Sequence, residues 1–329
     1  MSTTHVSWGS IELLHNVVRT LTSTLDESQP QPLPVVSYRA KVKLHGSNCA
    51  VQIAADGLHC QSRTTMLTPE SDYKGFAAWV RDQSAYFTTL RPGLVVFGEW
   101  CGPGVEKGMA ISQVASKQFV VFAVRDGDHQ IVEPDELRAL VLKPGAPAEL
   151  HVLPWDGDGV TIDYRSREHL DRVAAALSDR VAAVEREDPW VKQTFGISGL
   201  GEGLVFYPVE VDGHAPETTP EGLARLMFKA KGDKHRTAGA KTAVQVDATA
   251  AASVGEFVTL MVPDARLEQG LSTVCDGVVD MKQIGKFLAW VAADVRKESV
   301  AELEASNLTW PQVEKAVQAH ARAWFLARR

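Results

Sequence analysis

The sequence predicts an α+β protein of two domains, a mixed domain over residues 1–245 and an all-helical domain over residues 246–329. Three observations carry this prediction. Between residues 35 and 231, short apolar runs end repeatedly at Gly, Pro or Asp turns, the punctuation of strands. Two of these runs are joined by Asp56-Gly57, a dipeptide that suits a tight hairpin turn. After an Ala, Val and Thr-rich connector over 242–252, the apolar residues change to helical spacing.

Taken in order, residues 8–22 place Ile11, Leu14, Val18 and Leu21 at helical spacing and read as a leading helix, which the Pro-rich stretch 29–34 ends. A strand over 35–43 breaks at a turn containing Gly46 and resumes over 49–54, and residues 58–63 complete the hairpin. Residues 72–83 read as a helix with Phe76, Trp79 and Val80 on one face. The runs 94–99 and 118–124 read as buried strands, and 133–142 and 166–187 as helices, the second with a packing face of Leu170, Val173, Leu177, Val181 and Val184. A strand begins at Glu202, residues 209–224 form a polar loop, and 225–231 form the last strand. Its period of two aims Lys229 and Lys231 at the same face. In the tail, 257–261, 281–295 and 311–326 read as helices. Met281, Ile284, Phe287, Leu288 and Val291 form one apolar stripe, and Val313, Val317, Ala321 and Trp324 another. Pro311 suits the first turn of the last helix.

Length and composition narrow the function classes. A chain of 329 residues can bury one large core and one small one. No run of about 18 apolar residues is present to span a membrane, and residues 1–15 lack the basic-then-apolar order of a secretory signal. The four cysteines form no CxxC pair, which disfavours a zinc site or a disulfide framework. A cytoplasmic monomer without membrane contact is the expectation. A net charge of -7 argues against nucleic-acid binding through global charge, so a phosphate-binding surface must be local. One local cluster is Arg225, Lys229, Lys231, Lys234, Arg236 and Lys241, with His235 among them and only Asp233 opposing.

The chemistry centres on Lys43-Leu44-His45-Gly46-Ser47-Asn48, where a strand gives way to a polar turn. A lysine amine attacks an electrophile only when desolvation or nearby positive charge lowers its proton affinity. Gly46 would let backbone approach a ligand, and the Ser47 hydroxyl and Asn48 amide would bond a sugar or phosphate. Taken alone, the motif also fits a surface lysine before a hairpin turn. Arg63 ends a strand near this turn, and its guanidinium could fork onto a phosphate or remain solvated. Glu99 ends a buried strand, an expensive place for a carboxylate unless a cation, hydroxyl or metal pairs with it. Phe122 could stack on a planar ligand or fill core. Glu202 opens its strand, and Lys229 and Lys231 repel each other unless an anion lies between them.

In this order, Lys43-x-His-Gly-Ser-Asn, Arg63, Phe-Gly-Glu99, Glu202-Gly and Lys229-x-Lys231 resemble the motifs of covalent nucleotidyltransferases, which include polynucleotide ligases and mRNA capping enzymes. Within that group the sequence is most similar to the phage RNA ligase 2 and editing-ligase family. Longer matches are Val96-Phe-Gly-Glu-Trp-Cys-Gly-Pro-Gly-Val-Glu-Lys, Glu202-Gly-Leu-Val and Gln283-Ile-Gly-Lys-Phe followed by Asp294. The resemblance implies a ligase-type domain of antiparallel sheets with flanking helices, followed by the helical domain, and an ATP-dependent RNA ligase active in RNA repair. Lys43 would become lysyl-AMP, the AMP would pass to an RNA 5'-phosphate, and a 3'-hydroxyl would displace it.

In that scheme Lys229 and Lys231 would surround the reacting oxygens and help keep Lys43 deprotonated, Arg63 would grip phosphate, and Asn48 would act in sealing. Glu99 would hold the ribose, Phe122 would stack on adenine, and Leu44, His45 and Ser47 would complete the nucleotide pocket. Glu99 and Glu202 would face Mg²⁺ or Mn²⁺, and Arg266 and Asp294 would meet RNA. Two positions depart from the family: Ala123 stands where an aspartate is expected, and Tyr207 where a lysine is. DNA ligases and capping enzymes usually end in an OB-fold, which needs strands after residue 241, whereas this tail reads helical. A non-catalytic nucleic-acid-binding module has no need of a buried amine flanked by carboxylates.

Overall fold

In the computed structural model, which describes residues 4–23, 32–231, 254–305 and 308–328, two largely antiparallel sheets pack together and helices cover them. The first sheet has the order β1-β12-β11-β2-β10, from β1 (Glu12–Leu13), β12 (Phe228–Lys231), β11 (Gly203–Val211), β2 (Val35–Lys43) and β10 (Asp156–Asp163). The second has the order β5-β4-β3-β6-β7-β8, from β5 (Met66–Leu67), β4 (Gly57–Ser62), β3 (Ser47–Ala54), β6 (Leu94–Cys101), β7 (Gln118–Asp126) and β8 (His129–Ile131), with β9 (Leu150–Val152) beside β7. The α+β expectation therefore holds, and Lys43 stands at the crossing from one sheet to the other.

Three apolar clusters organise the described residues. One joins the first sheet to the inner face of the second and to α1 (Leu14–Ser23) and α5 (Arg167–Arg186). The predicted packing face of α5 lies in it from Leu170 to Val184, and Ser166 caps the helix by accepting from the His169 amide. Another lies under the outer face of the second sheet, against α2 (Phe76–Asp82), α3 (Ser84–Phe87) and α4 (Pro134–Val141). The third draws only on residues beyond 253. It is built by α8 (Val254–Met261), α9 (Asp264–Cys275), α10 (Ile284–Glu298), α11 (Val300–Ala305) and α12 (Trp310–Ala327). The predicted boundary between 245 and 246 lies outside the described residues, as does the connector over 242–252. No helix among the described residues is long and apolar enough to cross a membrane.

Several predicted elements need correction. The leading helix starts at Leu14, not before, because Glu12 and Leu13 pair in parallel with Phe228 and Lys229. The last strand starts at Phe228. Arg225 belongs instead to a helix, α7 (Pro220–Leu226), started by Pro220 and by the Thr219 hydroxyl accepting from the Gly222 amide. Residues 281–283 form a separate 3-10 turn before α10, and Met281 is 41% exposed, so it leaves the apolar stripe.

Glycine is required at Gly203, which opens β11 with φ +147, a backbone region that side chains avoid. A Cβ there would also stand 2.2 Å from the Ala230 carbonyl oxygen. Gly203→Ala is expected to cost about 2–4 kcal/mol from backbone strain plus overpacking. Thermal or urea unfolding measures this, and a variant as stable as the parent would refute the close approach of β11 to β12.

Candidate active site

Strand register brings the first three charged residues together. In the three-strand run β2-β11-β12, Gly203 is the Cα partner of both Lys43 and Lys231. Glu202, immediately before Gly203, therefore enters between the two lysines. Its Oε2 lies 2.8 Å from Lys43 Nζ and its Oε1 3.2 Å from Lys231 Nζ, and His45 Nδ1 stands 3.4 Å from Oε2. Burial alone would raise the proton affinity of Glu202. Lys43, then Lys231 and His45, outweigh it and hold the carboxyl well below its usual range. Burial also lowers Lys231, but Glu202, Glu298 and Asp294 reverse that and raise it.

The second sheet supplies the opposite wall. Asn48 on β3 is the register partner of Glu99 on β6, and β4 delivers Arg63 just past its end, exposed at the cleft. Glu99 is raised to about 7, chiefly by burial, with Lys43 opposing and Glu202 adding to the rise. Phe122 stands edge-on to Trp8 at 5.1 Å and, with the buried Leu44, lines the cleft. A Cβ on Gly46 would lie 2.5 Å from the Trp100 carbonyl oxygen, so this glycine lets β6 approach, and it also lines the cleft. The Ser47 hydroxyl donates to the Tyr73 hydroxyl at 3.1 Å and lines the cleft, where its oxygen can also accept.

The helical residues close the cleft, which has a volume of about 520 Å³, enough for a nucleotide. Gln269 and Thr273 of α9 and Trp290, Asp294 and Glu298 of α10 line it. Glu298 Oε2 is 3.1 Å from Lys229 Nζ. The predicted shared anion between Lys229 and Lys231 is thus two separate carboxylates, Glu298 on one and Glu202 on the other. Burial lowers Lys229, Glu298 opposes this, and Lys231 and Lys43 add to the lowering.

Arg266 does not present itself to RNA in this arrangement. It is 0% exposed, with Nε 3.1 Å from Asp294 Oδ2 and Nη1 donating to the Met261 carbonyl. Asp294 itself reaches the cleft. Of the predicted basic cluster, Arg225 sits on α7, away from β12, and Lys234, His235, Arg236 and Lys241 lie outside the described residues. Tyr207, at the first-sheet wall, is buried beneath the Lys41 amine at 5.3 Å and beside Trp155 at 5.7 Å. Ala123 is buried in β7 as the partner of Phe97.

Sequence reasoning missed Trp8, Lys41 and Glu298. For Glu298 a signal existed, since it follows Asp294 by four residues and so shares a face of α10 with it. For Trp8 none did, because only the tertiary fold brings the N-terminal segment to Phe122.

Among the described residues, no group of three or more His, Cys, Asp or Glu side chains could hold a metal by itself. Glu202 nevertheless stands close enough to Glu99 to raise its proton affinity. Two carboxylates facing a phosphate site suit Mg²⁺, which takes few protein ligands and completes its shell with phosphate oxygens and water.

The Glu99 shift has a testable sign. The folded protein keeps this proton up to about pH 7, whereas an unfolded glutamate releases it near 4.5. Between these values the folded state binds more protons, so this group's contribution to stability falls as pH rises. Glu202 and Glu298 are lowered and act in the opposite sense, below 4.5. From about pH 5 to about pH 8, Glu99→Gln should therefore gain on the parent by on the order of 1–3 kcal/mol in chemical unfolding. Parallel stability curves would contradict the burial of this carboxyl.

Comparison with known proteins finds RNA ligases. The structures found include a Naegleria gruberi RNA ligase with pyrophosphate, at 16% identity and a TM-score of 0.43, covering 70% of this chain and 57% of that one. Two mutants of the same enzyme, one with ATP and manganese and one with AMP and manganese, match at 17% identity and a TM-score of 0.44 over 70% of this chain. This chain covers 58% and 57% of their lengths, so the likeness spans less than two thirds of each relative. The RNA ligase family pattern matches residues 37–231, more than half of the sequence, from Ser37, the third residue of β2, to Lys231 at the end of β12. The chain belongs to the RNA ligase family.

Proposed function

We propose that this protein is an ATP-dependent RNA ligase that joins RNA 3'-hydroxyl and 5'-phosphate ends through lysyl-AMP, with residues 1–245 as the adenylyltransferase domain. The observation that carries this reading is the Lys43 amine, paired to Glu202 at 2.8 Å and facing a cleft that also holds Lys229, Lys231 and Arg63. Phosphoryl transfer needs a positioned nucleophile and cations around the moving charge, and little else from the protein. Lys43 would attack the α-phosphorus of ATP while Lys229 and Lys231 offset the charge that builds on the leaving pyrophosphate. Trp8 and Phe122 would hold the base, Glu99 the ribose, and Arg63 a phosphate. Mg²⁺ or Mn²⁺, held by Glu99 and Glu202 together with phosphate oxygens, would supply charge neutralisation there. ATP and manganese are named with the Naegleria ligases, which supports the same pair here.

In the later steps the AMP would move to an RNA 5'-phosphate, with Asn48 assisting, and a 3'-hydroxyl would then displace it. Asp294, at the cleft, would be the group that meets RNA, with Arg266 holding it in place. Four free, buried cysteines suit a monomer working in the reducing cytoplasm. Only helices follow β12 among the described residues, which favours this reading over DNA ligases and capping enzymes. Incubation with ATP labelled at the α-phosphate, with Mg²⁺, should label the protein, and Lys43→Ala should abolish the label. The charged protein should then seal nicked RNA. An unlabelled parent protein, or a label that survives Lys43→Ala, would end this proposal.

A further inference from the structure

Lys229 has a partner that the proposed reaction does not use. Helix α10 lays Trp290, Asp294, Lys297 and Glu298 along the cleft, and Glu298 Oε2 sits 3.1 Å from Lys229 Nζ, with both side chains largely buried. The other Glu298 oxygen lies 3.7 Å from Lys297. Burial favours protonation of Glu298, yet Lys231 and Lys229 hold it well below the usual carboxylate range, so a fixed negative charge stands in the cleft. The same ammonium is needed by the phosphates of an incoming nucleotide. Two anions gathered on one ammonium repel each other, so one of them must yield.

We infer that Glu298 is a positioning residue that competes with the β- and γ-phosphates of the nucleotide for Lys229, and that its return to Lys229 helps expel pyrophosphate. The inference rests on the ligase reading given above. In the forward step the Lys43 nitrogen bonds to the α-phosphorus and the bond from that phosphorus to the bridging oxygen breaks. The electron pair leaves on pyrophosphate and the amine proton passes to solvent. In the reverse step a pyrophosphate oxygen attacks the α-phosphorus, the P–N bond breaks and the lysine nitrogen regains a proton. Glu298 acts on neither bond. By replacing pyrophosphate as the anion on Lys229, it makes the reverse encounter weaker.

The test uses the full-length protein charged with AMP and then exposed to graded pyrophosphate, with ATP formation followed. Glu298→Gln should lower the half-saturating pyrophosphate concentration on the order of ten-fold, a change of about 1.4 kcal/mol. The KM for ATP in the charging reaction should fall in the same direction, and Glu298→Asp should return both toward the parent values. Misfolding cannot produce tighter binding, because it lowers the fraction of protein that charges, which mass spectrometry reads separately. Unchanged or weaker pyrophosphate and ATP binding in Glu298→Gln, with normal charging of the parent, would overturn the competition and leave the ligase reading standing. A parent protein that never charges would overturn both.

Discussion

A single carboxylate between two ammonium groups holds the cleft together. Glu202 sits there because Gly203 is in register with Lys43 on one side and Lys231 on the other. Three positions separated by about 190 residues of sequence thus meet through ordinary antiparallel pairing. A slip of one residue in either pairing would turn a lysine to the opposite face of the sheet. The side chains could then no longer meet, whatever their chemistry. Removing one member would leave a buried charge without compensation, the costly case for buried ion pairs. Gly203 is part of the same device, since any side chain would drive β11 away from β12.

The charges of the cleft are balanced before any ligand arrives. Lys43, Lys229, Lys231 and Arg63 are set against Glu99, Glu202, Asp294 and Glu298 along one lining. This explains how a chain of net charge -7 can offer a site for a polyanion, because the attraction is confined to a few ammonium groups. It also means that a triphosphate cannot simply be added. Either a cation accompanies it, as the paired carboxylates Glu99 and Glu202 suit, or a carboxylate leaves its partner, as Glu298 can because it is carried by a different apolar cluster.

Much of this was legible in the sequence, and the reason is periodicity. The strand 35–43, the packing face of α5 and the apolar stripe of α12 carry a pattern of period two or 3.6, strand 118–124 is an unbroken apolar run, and all formed as read. What escaped lacks such a pattern. Strand β10 reads Asp-Gly-Asp-Gly at its start and changes register against β2 between Asp156 and Val160, so no alternation marks it. Helix α7 hides in a loop-like composition until its Thr219 cap and Pro220 are read together. At the site, the charged residues within strands could be found one by one. The spacing from Asp294 marks Glu298, but its pairing with Lys229, like that of Tyr73 with Ser47, depends on tertiary packing and could not be read.

The strand that carries the proposed nucleophile also carries a second lysine, two residues earlier on the same face. Burial lowers Lys41 well below the usual lysine range, with Glu133 opposing and Arg138 adding to the lowering. Such a shift is what a nucleophilic amine needs. Geometry decides otherwise. Lys41 is 0% exposed, donates to the Phe122 carbonyl at 2.8 Å and the Val132 carbonyl at 2.6 Å, and lies over the Trp155 and Tyr207 rings. Its donors are spent on tying β2 to the chain around β7, across the two sheets, and no substrate atom can reach it. Lys43 instead ends its strand at the cleft, paired to Glu202 and with its side chain 24% exposed. Access to the cleft, more than an easily lost proton, separates the proposed nucleophile from the tie.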